Sequence, residues 1–214
     1  MGKSIELQGN EALLIVDVQN DFCPGGALAV PDGDQIIPVA NRLVRLFAHV
    51  ILTQDWHPRG HLSFASSHQE KEPYETIDLP YGNQILWPDH CVQGTEGADF
   101  HPGLKAGKSE LIIRKGYHRQ IDSYSTFFEN DKTTPTGLEG YLRERDLNKL
   151  FLIGLATDFC VLYSSLDARR HGFEVYVVEE GVRGIDVDGS LARAWQEMKE
   201  AGVHVISEAD LTCE

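Results

Sequence analysis

Six short apolar runs rich in Val, Ile and Leu recur along the chain, at residues 12–16, 50–53, 111–114, 150–153, 174–178 and 203–206. Each is continuous rather than alternating, which suits strands buried on both faces of a parallel sheet. Between the runs the period changes. Residues 38–50 carry Val39, Leu43, Leu46 and Phe47 on one helical stripe, and residues 137–145 carry Leu138, Tyr141 and Leu142 at i, i+3 and i+4. Residues 158–171 read as a helix stopped by Gly172, and 190–201 as one stopped by Gly202, because glycine adopts the left-handed conformation that closes a helix without steric cost. Strand and helix alternate, so the pattern predicts an α/β domain, a three-layer α/β/α arrangement with helices on both faces of the sheet.

Two regions break the alternation, 58–107 and 117–135. Both follow a strand, and both mix His, Pro, Gly, aromatic and polar residues. Trp87, Phe100, Tyr124, Phe127 and Phe128 supply enough apolar surface to order them, which predicts long structured loops walling a site. A single domain over 1–214 is expected, without repeats, low-complexity tracts or linkers.

Composition narrows the classes of function. A formal charge of -14 argues against nucleic acid, which demands a basic footprint. No apolar run reaches the roughly 18 residues that a membrane helix needs. The opening residues, MGKSIELQGNEALLIVD, lack the apolar core and cleavage site of a secretory signal. Four cysteines, at 23, 91, 160 and 213, are too few and too scattered for a disulfide framework. A reduced, cytoplasmic protein acting on a small molecule is the expectation, with self-association into a homo-oligomer left open.

In open α/β sheets, ligands bind beyond the carboxyl ends of the strands. The first run ends in VDVQNDF with Asp17 at its edge, the third leads to Lys115 in IIRKGYH, and the fourth to Cys160 in GLATDFC. Singly, each has an ordinary reading: a turn-capping carboxylate, a solvated amine, a small buried thiol. Together, an acid, an amine and a thiol leave the same end of three strands. A helix N-terminus and a nearby ammonium favour the thiolate, and free backbone N–H groups can receive an oxyanion. Asp17 is then the general base, and Thr157 or Asp158 the expected helix cap. The second run supplies QDWHPRGH, where Asp55 and His57 are two apart and share one side of an extended backbone. His61 follows, and His90 comes later in LWPDHC. A carboxylate with imidazoles suits one divalent ion, Zn²⁺, Fe²⁺ or Mn²⁺, and the spacing does not choose among them. Cys23, Cys91 and Cys213 have no comparable setting, nor do His49, His68, His101, His118, His171 and His204.

The ordered blocks LLIVDVQNDFCPGGALAV, TQDWHPRGHLSF, WPDHCVQGTEGADFHP, IRKGYHRQIDSYSTFF and GLATDFCV resemble the nicotinamidases of the isochorismatase-like cysteine hydrolase superfamily. The resemblance runs from about residue 12 to residue 207. It implies a six-stranded parallel sheet of order 3-2-1-4-5-6 and a catalytic set of Asp17, Lys115 and Cys160. It also implies a divalent metal on Asp55, His57 and His90, with His61 and Ser63 undecided as further contributors. The aromatic substrate clamp falls on Phe22, Trp87 and Tyr124, and the oxyanion donors on the amides of Ala156 and Cys160, beside a cis peptide between residues 155 and 156. The implied reaction is hydrolysis of nicotinamide to nicotinate and ammonia through a thioester, a step of NAD salvage, with the metal on the pyridine nitrogen and pyrazinamide as a second substrate. The sequence departs from the pattern at Phe159, where some members carry His, and in a longer 66–86 segment. Two rival readings remain at this level, an amidase or ureidohydrolase for another small amide and a non-catalytic α/β binding module.

Overall fold

The computed structural model describes residues 4–212, so Cys213 lies outside the described residues. The strands are β1 (Ile5–Glu6), β2 (Glu11–Val16), β3 (His49–Asp55), β4 (Thr76–Leu79), β5 (Gly82–Ile85), β6 (Leu111–Lys115), β7 (Lys149–Leu155), β8 (Glu174–Arg183), β9 (His204–Ile206) and β10 (Leu211–Thr212). The helices are α1 (Ile37–Leu46), α2 (Leu138–Glu144), α3 (Leu162–Arg170) and α4 (Ser190–Glu200). Six strands form one parallel sheet in the order β6-β3-β2-β7-β8-β9. Numbered among themselves they read 3-2-1-4-5-6, the expected order. Every residue of β2 is buried, as are all but the first of β3 and β7. Strands covered on both sides need no alternation, which is why their apolar runs are unbroken.

Several elements differ from the sequence reading. The helix expected over 38–50 ends at Leu46, because only two residues separate it from β3. Phe47 is already extended (φ -86°, ψ 139°), and its buried ring meets Phe151 at 5.0 Å. Strand β8 runs on to Arg183 past two exposed glutamates, Glu179 and Glu180, which end the apolar run without ending the strand. The 58–107 segment holds the antiparallel hairpin β4–β5, exposed or half-buried except at the polar Gln84, so that it carries little apolar signal. The pair β1–β10 was likewise not anticipated.

The sheet turns its carboxyl ends toward one rim. There β2 and β7 run side by side in register, Val16 opposite Gly154. Gly154 has φ +130°, and a Cβ built on it would lie 2.1 Å from the Val16 carbonyl oxygen. Only glycine lets the two backbones approach this closely. Gly154→Ala is expected to lower unfolding free energy by at least about 2 kcal/mol, from strain and clash together. Urea denaturation of the purified variant measures it, and an unchanged midpoint would remove this constraint from the account.

Candidate active site

Asp17 follows the last residue of β2, Asp55 ends β3, and Lys115 ends β6 as the direct register partner of Asp55. Beyond β7 the peptide between Leu155 and Ala156 is cis, and Thr157–Val161 form a π-helical turn that runs into α3. Cys160 sits in that turn. The three strand ends meet at one point: Lys115 Nζ lies 2.9 Å from Asp17 Oδ2, 2.5 Å from Asp55 Oδ1 and 3.4 Å from Cys160 Sγ. Its remaining contact is the Ser123 carbonyl at 2.9 Å.

Asp17 is held by the Thr53 hydroxyl, which donates to Oδ1 at 2.6 Å. Oδ2 is near the ammonium but off the line of an aligned hydrogen bond, and it has no hydrogen-bonded partner among the described residues. A buried carboxylate ion-paired to this ammonium, with an oxygen within 4.8 Å of the Cys160 sulfur, is placed to take a proton. Burial pushes the Asp17 carboxyl up, against the pull of Lys115, and so makes it a better base. Burial also opposes charge on Lys115, yet Asp17 and Asp55 outweigh it and hold the ammonium well above the ordinary amine range. For Asp55, burial is outweighed by Lys115 and His57, which keep it well below the carboxylate range.

The thiol departs from expectation. Burial drives Cys160 well above the usual thiol range, and Lys115 offsets only part of that. A sulfur in this setting depends on a neighbouring group to draw off its proton before it can serve as a nucleophile. Neither Thr157 nor Asp158 caps the turn; Ala156 occupies the cap position without a side-chain bond. Asp158 faces the segment after β8 instead. Its carboxylate accepts from Ile185 N at 3.0 Å, from Asp186 N at 2.8 Å and from the Ser190 hydroxyl.

A second cluster adjoins the first through the other oxygen of Asp55. Asp55 Oδ2 lies 3.5 Å from His57 Nε2 and 3.8 Å from His90 Nε2. His57 Nδ1 donates to the Gly116 carbonyl at 2.9 Å, and His90 Nδ1 to that of Pro88 at 2.8 Å. Carbonyls accept only, so both rings carry a proton on Nδ1 and turn Nε2 toward Asp55. That is the second-shell arrangement of metal-binding histidines, and the three donor atoms lie within 4.8 Å of one another. The donor set fits a divalent ion. His61 differs, since its Nε2 meets two carbonyls, His118 at 3.0 Å and Ile121 at 3.1 Å. It must donate there, and its Nδ1 contacts the Ser63 hydroxyl at 2.7 Å. With both nitrogens engaged and its pKa lowered to about 4, chiefly by burial, His61 is a neutral buttress in this arrangement.

A small cavity opens onto both clusters. Phe22, Trp87, Tyr124, Ala156 and Cys160 all line it, as do Asp55 and His90. Asp17, Lys115 and His57 do not, and lie behind that wall at 0–1% exposure. Trp87 Nε1 and Gln84 Nε2 both donate to the Tyr124 hydroxyl, at 3.1 and 3.0 Å, which locks two of the clamp rings together. Phe159, singled out in the sequence as a departure from the family pattern that bears on pocket shape, does line the cavity, whereas sequence reasoning did not pick out Leu28, Asp122 and Ile185. Leu28 and Asp122 stood inside the quoted blocks, but none of the three carries a reactive group at a strand end. No helix among the described residues is long and apolar enough to cross a membrane.

An α/β sheet of this order, with cysteine, lysine and aspartate meeting at its rim, is matched by the isochorismatase domain model over residues 11–210, and the chain belongs to that family. The nicotinamidase of Acinetobacter baylyi is 54% identical over 202 residues, covering 94% of each chain. A solved nicotinamidase and pyrazinamidase from Acinetobacter baumanii superposes with a TM-score of 0.94 at 55% identity, covering 95% of this chain and 98% of that one. The pyrazinamidase of Pyrococcus horikoshii, solved in complex with zinc, matches at 37% identity and a TM-score of 0.75, over 92% of this chain and 99% of that one.

Asp158 ties the cysteine turn to Ile185 on the opposite cavity wall. Asp158→Ala leaves two backbone N–H groups and a hydroxyl without their acceptor, and is expected to destabilise the fold by about 3 kcal/mol. Asp158→Asn, which keeps one acceptor oxygen, should lose clearly less. Denaturant titration of the two variants separates these outcomes, and equal losses would count against the tie.

Proposed function

We propose that this chain hydrolyses nicotinamide to nicotinate and ammonia, with Cys160 as nucleophile, Asp17 as general base and acid, and Lys115 as the fixed charge between them. The observation that carries the reading is one ammonium within 2.9 Å of a carboxylate and 3.4 Å of a thiol, behind a cavity walled by aromatic rings. The nicotinamidase relatives supply the substrate.

The carboxamide carbon faces Cys160. Asp17 takes the thiol proton as sulfur forms its bond to that carbon, and the carbonyl oxygen becomes an oxyanion. The amides of Ala156 and Cys160 donate to this oxygen, at the start of a helical turn where backbone N–H groups are unsatisfied. Asp17 returns the proton to the amide nitrogen, the C–N bond breaks, and ammonia leaves a thioester on Cys160. Asp17 then deprotonates a water that attacks the thioester, and the departing sulfur recovers the proton. Lys115 stays charged throughout and steadies whichever partner is anionic. Phe22, Trp87 and Tyr124 hold the flat ring by stacking and edge contact. A divalent ion on Asp55, His57 and His90 supplies a Lewis-acid site for the ring nitrogen, and zinc is the ion proposed, because the zinc-containing relative supports it. Pyrazinamide presents the same ring shape and carboxamide and is proposed as a second substrate. Cys23, Cys91 and Cys160 are all free and buried, which suits the reducing cytoplasm as the site of action.

Cys160→Ala is expected to lower ammonia release from nicotinamide at least about 10⁴-fold, and Asp17→Asn about 10³-fold or more. A coupled ammonia assay reads both, and near-wild-type turnover by Cys160→Ala would end the nucleophile assignment.

For the metal, exhaustive chelation is expected to reduce kcat/KM about 100-fold or more, with recovery on adding back one divalent ion. Metal analysis should find about one ion per chain in the wild type and much less in His57→Ala or His90→Ala. Full metal content in both variants would move the site elsewhere.

A further inference from the structure

Phe159 precedes the nucleophile, is 7% exposed, and lines the catalytic cavity. It also lines a second, outer hollow of about 700 Å³ that is open to solvent, beside Tyr74, Ile85, Tyr163 and Arg193. Among the described residues no other borders both spaces. Its ring is fixed edge-on against Trp87, with centroids 4.9 Å apart and planes at 90°, and against Tyr124 at 5.6 Å and 64°. Those two rings are in turn joined through the Tyr124 hydroxyl. Tyr74, which lines the outer hollow, meets Trp87 at 5.9 Å and 83°. The clamp therefore has space behind it, and one hydrocarbon side chain stands between that space and the substrate.

We infer that Phe159 is a specificity-determining partition: its ring closes the outer side of the substrate cavity and excludes amides whose ring carries a substituent pointing toward the outer hollow. The inference rests on the nicotinamide reading above and extends it to the substrate's ring edge. A phenyl ring has no polar atom to bond the amide, so what it controls is shape. A substituted ring would have to displace a side chain braced by two aromatic edges, and such overpacking in a filled site is unfavourable. Shortening residue 159 joins the two spaces and gives the substituent somewhere to go.

The probes are nicotinamide and its methyl derivatives at ring carbons 5 and 6, the two carbons not adjacent to the one bearing the carboxamide. Wild type, Phe159→Ala, Phe159→Leu and Phe159→Tyr are each assayed on all three. The quantity read is the ratio of kcat/KM for a methylated amide to that for nicotinamide, measured on one preparation so that the active fraction cancels. For at least one probe the ratio is expected to rise about tenfold or more in Phe159→Ala, by less in Phe159→Leu, and not at all in Phe159→Tyr. Should Phe159→Ala lose all turnover, Phe159→Leu carries the same comparison. Ratios unchanged in both shortened variants, or a wild type that hydrolyses the methylated amides as well as nicotinamide, overturn the partition. A wild type inactive on nicotinamide itself would instead overturn the reading of the reaction.

Discussion

Lys115 has no exposed surface at all, and an unpaired ammonium in that position would cost several kcal/mol and shed its proton instead. It remains charged because two carboxylates from neighbouring strands close on it, Asp17 from β2 and Asp55 from β3. The rim of the sheet is organised around that requirement. Three adjacent strands must end level with one another, which the parallel register of β6, β3 and β2 provides. The cysteine turn must then arrive from β7 on the far side of β2, which the order of the sheet also provides. Replacing the lysine by an apolar residue would leave two buried carboxylates facing each other, so the residue is as necessary to the fold locally as to the chemistry.

The site divides into what the substrate can touch and what it cannot. Cys160, the aromatic rings, Asp55 and His90 form the wall, while Asp17, Lys115 and His57 stand behind it, dry. Charges in such a place are not screened by water, and burial pushes both the Asp17 carboxyl and the Cys160 thiol upward from their ordinary ranges.

Much of this was legible from the sequence because strand ends are legible. Asp17, Lys115 and Cys160 each follow a continuous apolar run, and the rule that ligands gather at the carboxyl ends of parallel strands sufficed to group them. The order of the sheet, the ring clamp and the cis peptide came from family resemblance, since nothing in spacing alone encodes them. What escaped were features set by tertiary context. The thiol's upward shift depends on how completely the cavity wall dries it. The role of Asp158 depends on donors that arrive from residues 185–190, far along the chain, where a local reading sees only a cap. Helix α1 ended early because the next strand needed its residues, and β8 ran long because a strand can pass through two exposed glutamates without losing its neighbours.

Asp55 serves two masters with its two oxygens, Oδ1 toward the lysine and Oδ2 toward the histidines. The backbone repeats the coupling, since the carbonyl that orients His57 belongs to Gly116, the residue next to Lys115. The cluster around Lys115 and the cluster of histidines are thus not separable modules. A substitution that reshaped the histidine cluster through the shared carboxylate would therefore also shift the amine and its contact with the cysteine sulfur, whereas changes in the outer supports of the histidines would leave that contact in place.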